Sequence, residues 1–288
     1  MWICTQAFHV PKRGNAEDEY EDAFFPENGF YRDPVVFRCA VADGASESAF
    51  AREWAEMLVR SFGRRRLRLK HLQDLWRRLV TGRPLPWYLE AKIPRGSHAA
   101  LVGLSIRNTP NGRRLASASS RTSEPPSTMQ VFHGVAVPVP GAEAPGSGAP
   151  GPDTAPDGVW TALAIGDSCL FQIRESTLVT TGPVANSADF GNTPMLLSTK
   201  CPSPIPRGAD HVFVLSGSWR SKDAFYLASD ALSQWLLAEH EAGRSPWSLL
   251  NDLGTDAEQQ PFAALVDDLR ESGRLHNDDT TLLRIEVA

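Results

Sequence analysis

The 288-residue chain contains few cysteines and no long apolar run. Its four cysteines are too few for a disulfide scaffold and too scattered for a zinc knuckle: Cys4, Cys39, Cys169 and Cys201. No stretch reaches the roughly 18 apolar residues of a membrane span, and the N-terminus lacks the basic and apolar regions of a signal peptide. We therefore expect a protein of the reducing cytoplasm that does not associate with membranes.

The chain also lacks an excess of positive charge, since its formal net charge is −5. This mild acidity argues against dedicated nucleic-acid binding. Residues 60–78 nevertheless hold eight Lys and Arg and one Asp, so this run carries +7 and the other residues carry −12. We interpret the run as a solvated helix end and loop, with nucleic acid, anionic lipid or an acidic partner as the alternative ligands.

Sequence patterns predict strands near the start, middle and end of the chain, with helices between them. The predicted strands cover residues 2–8, 34–42, 99–106, 159–165, 169–174, 177–181, 211–215, 223–228 and 280–287. The predicted helices cover residues 48–62, 71–80, 86–93, 230–241, 246–253 and 257–271. The strands between 159 and 181 are interpreted as a β-hairpin with a turn at Gly166, Asp167 and Ser168. Short turns of this kind indicate mostly antiparallel strands, which favours an α+β fold over a doubly wound parallel one.

One segment has a different composition. Residues 108–128 are rich in Ser, Thr, Arg, Asn and Pro, and residues 138–158 hold six Pro and five Gly. Such a segment buries too little apolar surface to offset the entropy lost on ordering, although residues 129–137 between them are a candidate strand. We therefore predict a single domain over residues 1–288 with a mobile insertion at about 108–158.

Carboxylates recur where a predicted strand meets a turn: Glu21, Asp22, Asp43, Asp167, Asp230, Asp278 and Asp279. Each taken singly is more simply explained as a turn residue. Converging carboxylates, however, raise one another's pKa unless a cation neutralises them, and all-oxygen ligation selects hard ions such as Mg²⁺ or Mn²⁺. Two such ions can activate water and hold a phosphoryl group for in-line attack, so the joint arrangement of the acids indicates a metal centre.

The order of these motifs resembles the metal-dependent protein phosphatases of the protein phosphatase 2C type. The motifs are Glu-Asp, Asp-Gly before a helix, Gly-Asp-Ser, Ser-Asp, and Asp-Asp before a terminal strand. The resemblance covers nearly the whole chain outside residues 108–158. It implies a four-layer αββα sandwich of two antiparallel sheets flanked by helices, with a centre of two Mn²⁺ or Mg²⁺ ions at one end.

The resemblance also implies a role for each matching acid. Asp43 would bridge the two ions as the central catalytic residue. The metal ligands would be Asp22, Asp43, the Gly44 carbonyl, Asp230 and Asp278. Secondary roles would fall to Glu21 through water, to Asp167 near a third ion, and to Asp279 in the place of a usual Asn.

The sequence departs from the family pattern at several positions. Ala231 replaces the usual Gly of the Ser-Asp-Gly motif, and Gln234 stands where many members have a further acid. Eukaryotic members have a phosphate-binding Arg before the Glu-Asp pair, and the equivalent position here is Glu17. Arg13 is our candidate for the phosphate-binding cation, with Lys12 as the alternative.

The expected activity is hydrolysis of phosphoserine or phosphothreonine in a phosphorylated protein substrate, by attack of a metal-activated hydroxide. One alternative is a pseudophosphatase, in which the same fold serves as a binding or regulatory module. A third reading is an unrelated α+β domain whose acids are turn residues. That reading requires Asp22, Asp43, Asp230 and Asp278 to be widely scattered in the fold.

Overall fold

The computed structural model describes residues 1–46, 48–65, 67–81, 84, 86–109, 156–191, 194–200, 212–253 and 259–288. The strands are β1 (Trp2–Val10), β2 (Ala23–Phe25), β3 (Gly29–Arg32), β4 (Phe37–Gly44), β5 (His98–Asn108), β6 (Gly158–Ile165), β7 (Cys169–Arg174), β8 (Thr177–Gly182), β9 (Leu197–Ser198), β10 (Phe213–Trp219), β11 (Ala224–Ala228) and β12 (Thr280–Val287). The helices are α1 (Ala51–Gly63), α2 (Leu69–Thr81), α3 (Trp87–Lys92), α4 (Asp230–Glu241), α5 (Pro246–Asn251) and α6 (Gln259–Glu271).

The strands form two antiparallel sheets of six strands each. Sheet A has the order β3-β1-β12-β11-β7-β8. Sheet B has the order β10-β6-β5-β4-β2, and the short β9 pairs with the start of β5. The predicted antiparallel pairing is therefore confirmed for the strands described here.

Alternating apolar residues on the strands build three buried layers. The layer between the sheets combines residues such as Val41 and Leu104 of sheet B with Ile285 of sheet A. Helices α1 and α2 cover the outer face of sheet B, where Trp54 is fully buried. Helices α4, α5 and α6 cover the outer face of sheet A, where Phe262 is fully buried. The layer order is thus α-β-β-α, as predicted.

The predicted hairpin between residues 159 and 181 is partly wrong. Strand β6 pairs with β5 and β10 in sheet B, whereas β7 pairs with β8 and β11 in sheet A. The turn at Gly166, Asp167 and Ser168 therefore carries the chain from one sheet to the other. Only β7 and β8 form a true hairpin. The turn signal was correct, but a turn does not determine which sheet the next strand joins.

Strands β2, β3 and β9 were not predicted, because two to four residues are too few to show a period. The candidate strand at 129–137 and most of the predicted insertion lie outside the described residues. Within the described part of the chain, no helix is long and apolar enough to cross a membrane.

Candidate active site

The acids of sheet B lie where β2 and β4 meet. Asp43 is on the same face of β4 as Cys39 and Val41, which belong to the core between the sheets. Ala23 pairs with Ala42 in the antiparallel ladder, so extending this register by one residue places Asp22 beside Asp43. Alternation along the strand therefore turns both carboxylates toward the space between the sheets.

Gly44 permits the close approach of the chain that carries Glu21 and Asp22. A Cβ atom at Gly44 would lie 2.5 Å from the backbone oxygen of Glu21, which is inside any normal contact. Glu21 itself is partly buried, and burial raises its pKa while a hydrogen bond from Ser46 lowers it. The Asp43-Gly44 pair thus has a steric requirement for glycine in addition to the predicted ligand role of its carbonyl.

The acids of sheet A come from the ends of β11 and β12. Asp230 is the first residue of α4, two residues after the end of β11, and its Oδ1 accepts a hydrogen bond from the Ala231 N–H at 2.5 Å. Asp278 and Asp279 immediately precede β12. Because β11 and β12 are antiparallel neighbours, the end of one and the start of the other lie at the same edge of the sheet.

Asp167 joins the group from the connection between the two sheets. Gly166 before it has a φ of +94°, a left-handed conformation that favours glycine. A Cβ atom at Gly166 would also lie 2.5 Å from the Ala100 Cβ. The glycine therefore lets the turn pass closely over β5 and bring the Asp167 carboxylate to the site.

Four of these acids line a cavity of about 420 Å³. One side is acidic and is formed by Asp43, Asp167, Asp230 and Asp278. The other lining residues include the apolar Ala100, Ala231, Phe190, Pro194 and Leu196 and the polar Gln234, His276 and Asn277. The third reading, in which the acids are scattered turn residues, is therefore wrong for these four acids.

A short 3-10 helix at Ser187–Asp189 holds the apolar side of the cavity in place. The Gln234 side-chain amide of α4 donates to the Ser187 carbonyl at 3.2 Å. The Ser187 N–H donates to Glu241 Oε1 at 2.6 Å, again on α4. Phe190 follows this helix and reaches the cavity. Gln234, at the position of a further acid in many family members, thus anchors the cavity wall.

Burial and mutual repulsion raise the pKa of the clustered acids. The pKa of Asp43 is raised well above its ordinary value, first by burial and then by the charges of Asp22 and Asp230. Burial and the Asp278 charge raise the pKa of Asp230. Burial and the Asp230 charge raise the pKa of Asp167 to about 7. This is the repulsion that a bound cation would relieve.

Asp22 lies behind the cavity and is almost fully buried. Its Oδ2 accepts a hydrogen bond of 2.5 Å from the Thr281 hydroxyl, and Thr281 also lies 2.5 Å from the Tyr20 hydroxyl. Its Oδ1 is buried with no hydrogen-bond partner among the described residues. A buried carboxylate oxygen without a donor is the kind of atom that a metal ion or bound water satisfies.

The donor chemistry of the site fits hard divalent cations, because carboxylate oxygens dominate and their pKa values show unrelieved repulsion. Within the described residues, no three His, Cys, Asp or Glu side chains come close enough together to hold one ion. The carboxylates therefore line the cavity, but no three of them lie close enough together to bind the same ion.

Two other predicted residues face elsewhere. Arg13 makes ion pairs with Asp267 at 3.5 Å and Glu271 at 3.1 Å on α6, so its placement does not support phosphate binding. Asp279 accepts backbone N–H groups with both oxygens, from Lys12 at 2.7 Å and from Glu21 at 2.6 Å. This position ties the ends of β1 and β2 to β12, which is a structural role.

Sequence reasoning missed several residues of the site. Thr281 has a detectable signal, since it lies two residues after Asp279 and so shares its face of the strand. The Ser229 hydroxyl supports the same strand by accepting the Thr281 N–H at 2.9 Å. Phe190, Pro194 and Leu196 lie in a stretch without a clear period, and no local pattern marks them as a cavity wall.

No protein-family model matches the sequence, and no curated protein does. Solved structures do match. The S. agalactiae serine/threonine phosphatase is 10% identical with a TM-score of 0.53, over 99% of this chain and 100% of that one. The Mycobacterium tuberculosis serine/threonine phosphatase PstP/Ppp is 12% identical with a TM-score of 0.49, over 100% and 99%. RsbX in complex with magnesium is 14% identical with a TM-score of 0.46, over 100% and 96%.

The similarity to the S. agalactiae enzyme shows that this chain has the fold of a serine/threonine phosphatase. The resemblance to the protein phosphatase 2C type, read from the order of the acids, is thereby confirmed at the level of the fold.

Proposed function

We propose that this chain is a metal-dependent phosphatase that hydrolyses phosphoserine or phosphothreonine in cytoplasmic proteins. One observation carries the proposal: Asp43, Asp167, Asp230 and Asp278 line one cavity at the end of a phosphatase fold. Turn residues without a shared role have no reason to converge in this way from both sheets.

Two Mn²⁺ or Mg²⁺ ions at this site would activate water and neutralise charge on the phosphoryl oxygens. Asp43 would be a ligand of both ions, and the charges of Asp22 and Asp230 both act on its carboxyl group. The Gly44 carbonyl and the carboxylates of Asp230 and Asp278 complete the proposed ligand set. Asp22, whose buried Oδ1 has no partner among the described residues, would be a further ligand.

The rest of the cavity would orient the substrate. Phe190, Pro194 and Leu196 line the same cavity as the acids, so the carbon part of a phosphorylated side chain would lie against them while the phosphoryl group points at the acids. Apolar walls also exclude bulk water and strengthen the electrostatic interactions inside the cavity.

The decisive experiment is an Mn²⁺-dependent assay with para-nitrophenyl phosphate and a generic phosphopeptide. We expect turnover that requires Mn²⁺ or Mg²⁺, and a loss of about 100-fold or more in Asp43→Asn and Asp278→Asn. Asp268→Asn, an exposed change on α6, is the matched control and should leave turnover unchanged. Wild-type rates in Asp43→Asn would overturn the proposal.

A pseudophosphatase is the second candidate, and one observation favours it. The cavity lining contains no Arg or Lys among the described residues, and the Lys12 ammonium beside the cavity is paired with Asp278 at 3.7 Å. Calorimetric titration separates the two candidates. A phosphatase should bind about two Mn²⁺ ions and turn over substrate, whereas a binding module that lost its chemistry would do neither.

A further inference from the structure

A basic cluster lies on the outer face of sheet B, facing away from the space between the sheets that the cavity occupies. Arg38 is on the face of β4 that also carries Ala40 and Ala42, which pack under α1 and α2. Arg38 pairs with Ser105 of β5, so Arg107 is its diagonal neighbour on the same face, about 7–8 Å away by standard sheet geometry. Asp43 lies at the other end of β4, five residues or about 17 Å along the strand.

The end of α1 brings a third guanidinium to this place. Phe62 of α1 packs over Gly103 of β5, and Arg65 follows after the helix ends. The Arg65 N–H donates to the Phe62 carbonyl at 3.0 Å, and its φ of +61° turns the chain. The backbone of Arg107 is also held, because its carbonyl accepts the Trp219 indole N–H at 2.9 Å. The positions of these Arg residues are therefore set by the fold.

The three guanidiniums form no ion pair with any carboxylate of the described residues. The ion pairs found among the described residues use other cations, and none includes Arg38, Arg65 or Arg107. Partial burial, then the charges of Arg65 and Arg107, lower the pKa of Arg38 to about 10. Arg38 stays protonated at neutral pH, so the free protein retains a repulsion that an anion would relieve.

We infer that Arg38, Arg65 and Arg107 form a docking surface for an Asp- and Glu-rich segment of a partner protein. Guanidinium groups bind carboxylates through two parallel hydrogen bonds, so three of them suit a short acidic segment. The whole chain carries a net charge of −5, which disfavours a long polyanion such as a nucleic acid or an anionic membrane, whereas a short acidic segment needs to contact only the cluster. The surface lies on the opposite face of β4 from Asp43, so docking would leave the cavity open.

The test is a binding measurement, independent of the proposed phosphatase activity. A fluorescein-labelled peptide of ten Asp and Glu residues is titrated with the full chain, and anisotropy is recorded at several salt concentrations. The variant Arg65→Gln/Arg107→Gln should bind about five- to tenfold more weakly. The control Lys70→Gln/Arg78→Gln removes two exposed charges from α2 and should bind within about twofold of wild type.

Single variants Arg65→Gln and Arg107→Gln repeat the measurement if the double variant melts early, and each should lose part of the affinity. Equal binding by wild type and the Arg65/Arg107 variants would overturn the inference, and so would an equal loss in the control. A ten-nucleotide single-stranded DNA, or phosphatidylserine vesicles, that binds more tightly than the peptide would overturn it in favour of that ligand. Loss of phosphatase activity in Asp43→Asn has no bearing on this result.

Discussion

Thr281 links the two sheets behind the cavity. It belongs to β12 of sheet A, yet its hydroxyl donates to Asp22, which enters sheet B through β2. The Tyr20 hydroxyl lies on the other side of Thr281, so a chain of three polar groups is buried at this junction. Buried hydrogen bonds of this kind hold side chains in one arrangement, here with Asp22 Oδ1 left without a partner among the described residues. Thr281 therefore holds the Asp22 carboxylate in position.

Substituting Thr281 tests this link. Thr281→Val removes the hydroxyl and leaves Oδ2 of Asp22 without its donor, so we expect the free energy of unfolding to fall by about 1–3 kcal/mol. Denaturant unfolding followed by circular dichroism measures the change. Thr281→Ser keeps the hydroxyl and loses only a methyl group, so it should be less destabilising. If the Ser variant loses as much stability as the Val variant, packing rather than the hydrogen bond explains the effect.

At this scale the sequence predicted the acids but not their supports. Asp43, Asp167 and Asp230 stand in short motifs with their neighbours, and order along the chain was enough to relate them. The bond between Thr281 and Asp22 joins residues 259 positions apart, and no local pattern encodes such a contact. Arg13 illustrates the converse. It is a cation near the Glu-Asp motif in the sequence, but in the fold it forms ion pairs with Asp267 and Glu271 of α6.

Among the elements, the turn between β6 and β7 depends most strictly on one residue type, because it requires glycine at position 166. It crosses from sheet B to sheet A and carries Asp167, and Gly166 makes the crossing possible. Gly166→Ala should lower the free energy of unfolding by about 2–4 kcal/mol, since it combines an unfavourable positive φ with a clash against Ala100. The same variant should displace Asp167 and weaken Mn²⁺ binding in calorimetry.

Gly273→Ala is the matched control for this prediction. Gly273 also has a positive φ, of +67°, but a Cβ atom there would meet nothing within 4 Å. It should therefore show the backbone cost alone, about 1 kcal/mol, with Mn²⁺ binding unchanged. Equal losses of stability in the two variants would mean that the close approach of Gly166 to Ala100 carries no cost.

The elements also show why sequence patterns predicted most of the architecture but not its connections. Long periodic segments such as α1, α4 and β12 were predicted within a few residues, because each buries a regular apolar face. The strands β6 and β7 were predicted as well, but their assignment to different sheets depends on partners far along the chain. The turn sequence does not determine that β6 pairs with β5 and β10, because this pairing depends on tertiary contacts.

At the scale of the whole molecule, a net charge of −5 conceals two opposite concentrations of charge. Four acids line the cavity, and on the outer face of sheet B lie three Arg residues that form no ion pair within the described part of the chain. Both concentrations destabilise the free chain through like-charge repulsion. The fold tolerates them because each lies at an end of the sandwich, outside the three apolar layers that stabilise it.

This arrangement predicts an unusual pH dependence of stability. Asp167 has a pKa of about 7 in the folded protein against an ordinary value of 3.8, so the folded state keeps a proton that the unfolded chain has already released. The stability from this group is complete below pH 3.8 and is lost as the pH rises through 7. The pKa values of Asp43 and Asp230 are raised in the same direction. Metal-free protein in EDTA should therefore melt at a lower temperature at pH 8 than at pH 5.5.

Divalent cations should reverse this trend, because they bind the deprotonated carboxylates. At 100 times its dissociation constant, Mn²⁺ would add about 2.7 kcal/mol per site, and the gain in melting temperature should be larger at pH 8 than at pH 5.5. Differential scanning calorimetry at both pH values, with EDTA and with Mn²⁺, gives the four melting temperatures needed. Asp167→Asn removes one titrating group and should flatten part of the metal-free pH dependence. A metal-free melting temperature that rises between pH 5.5 and 8, or an Mn²⁺ effect of equal size at both, would show that the acids are not held together in the free protein.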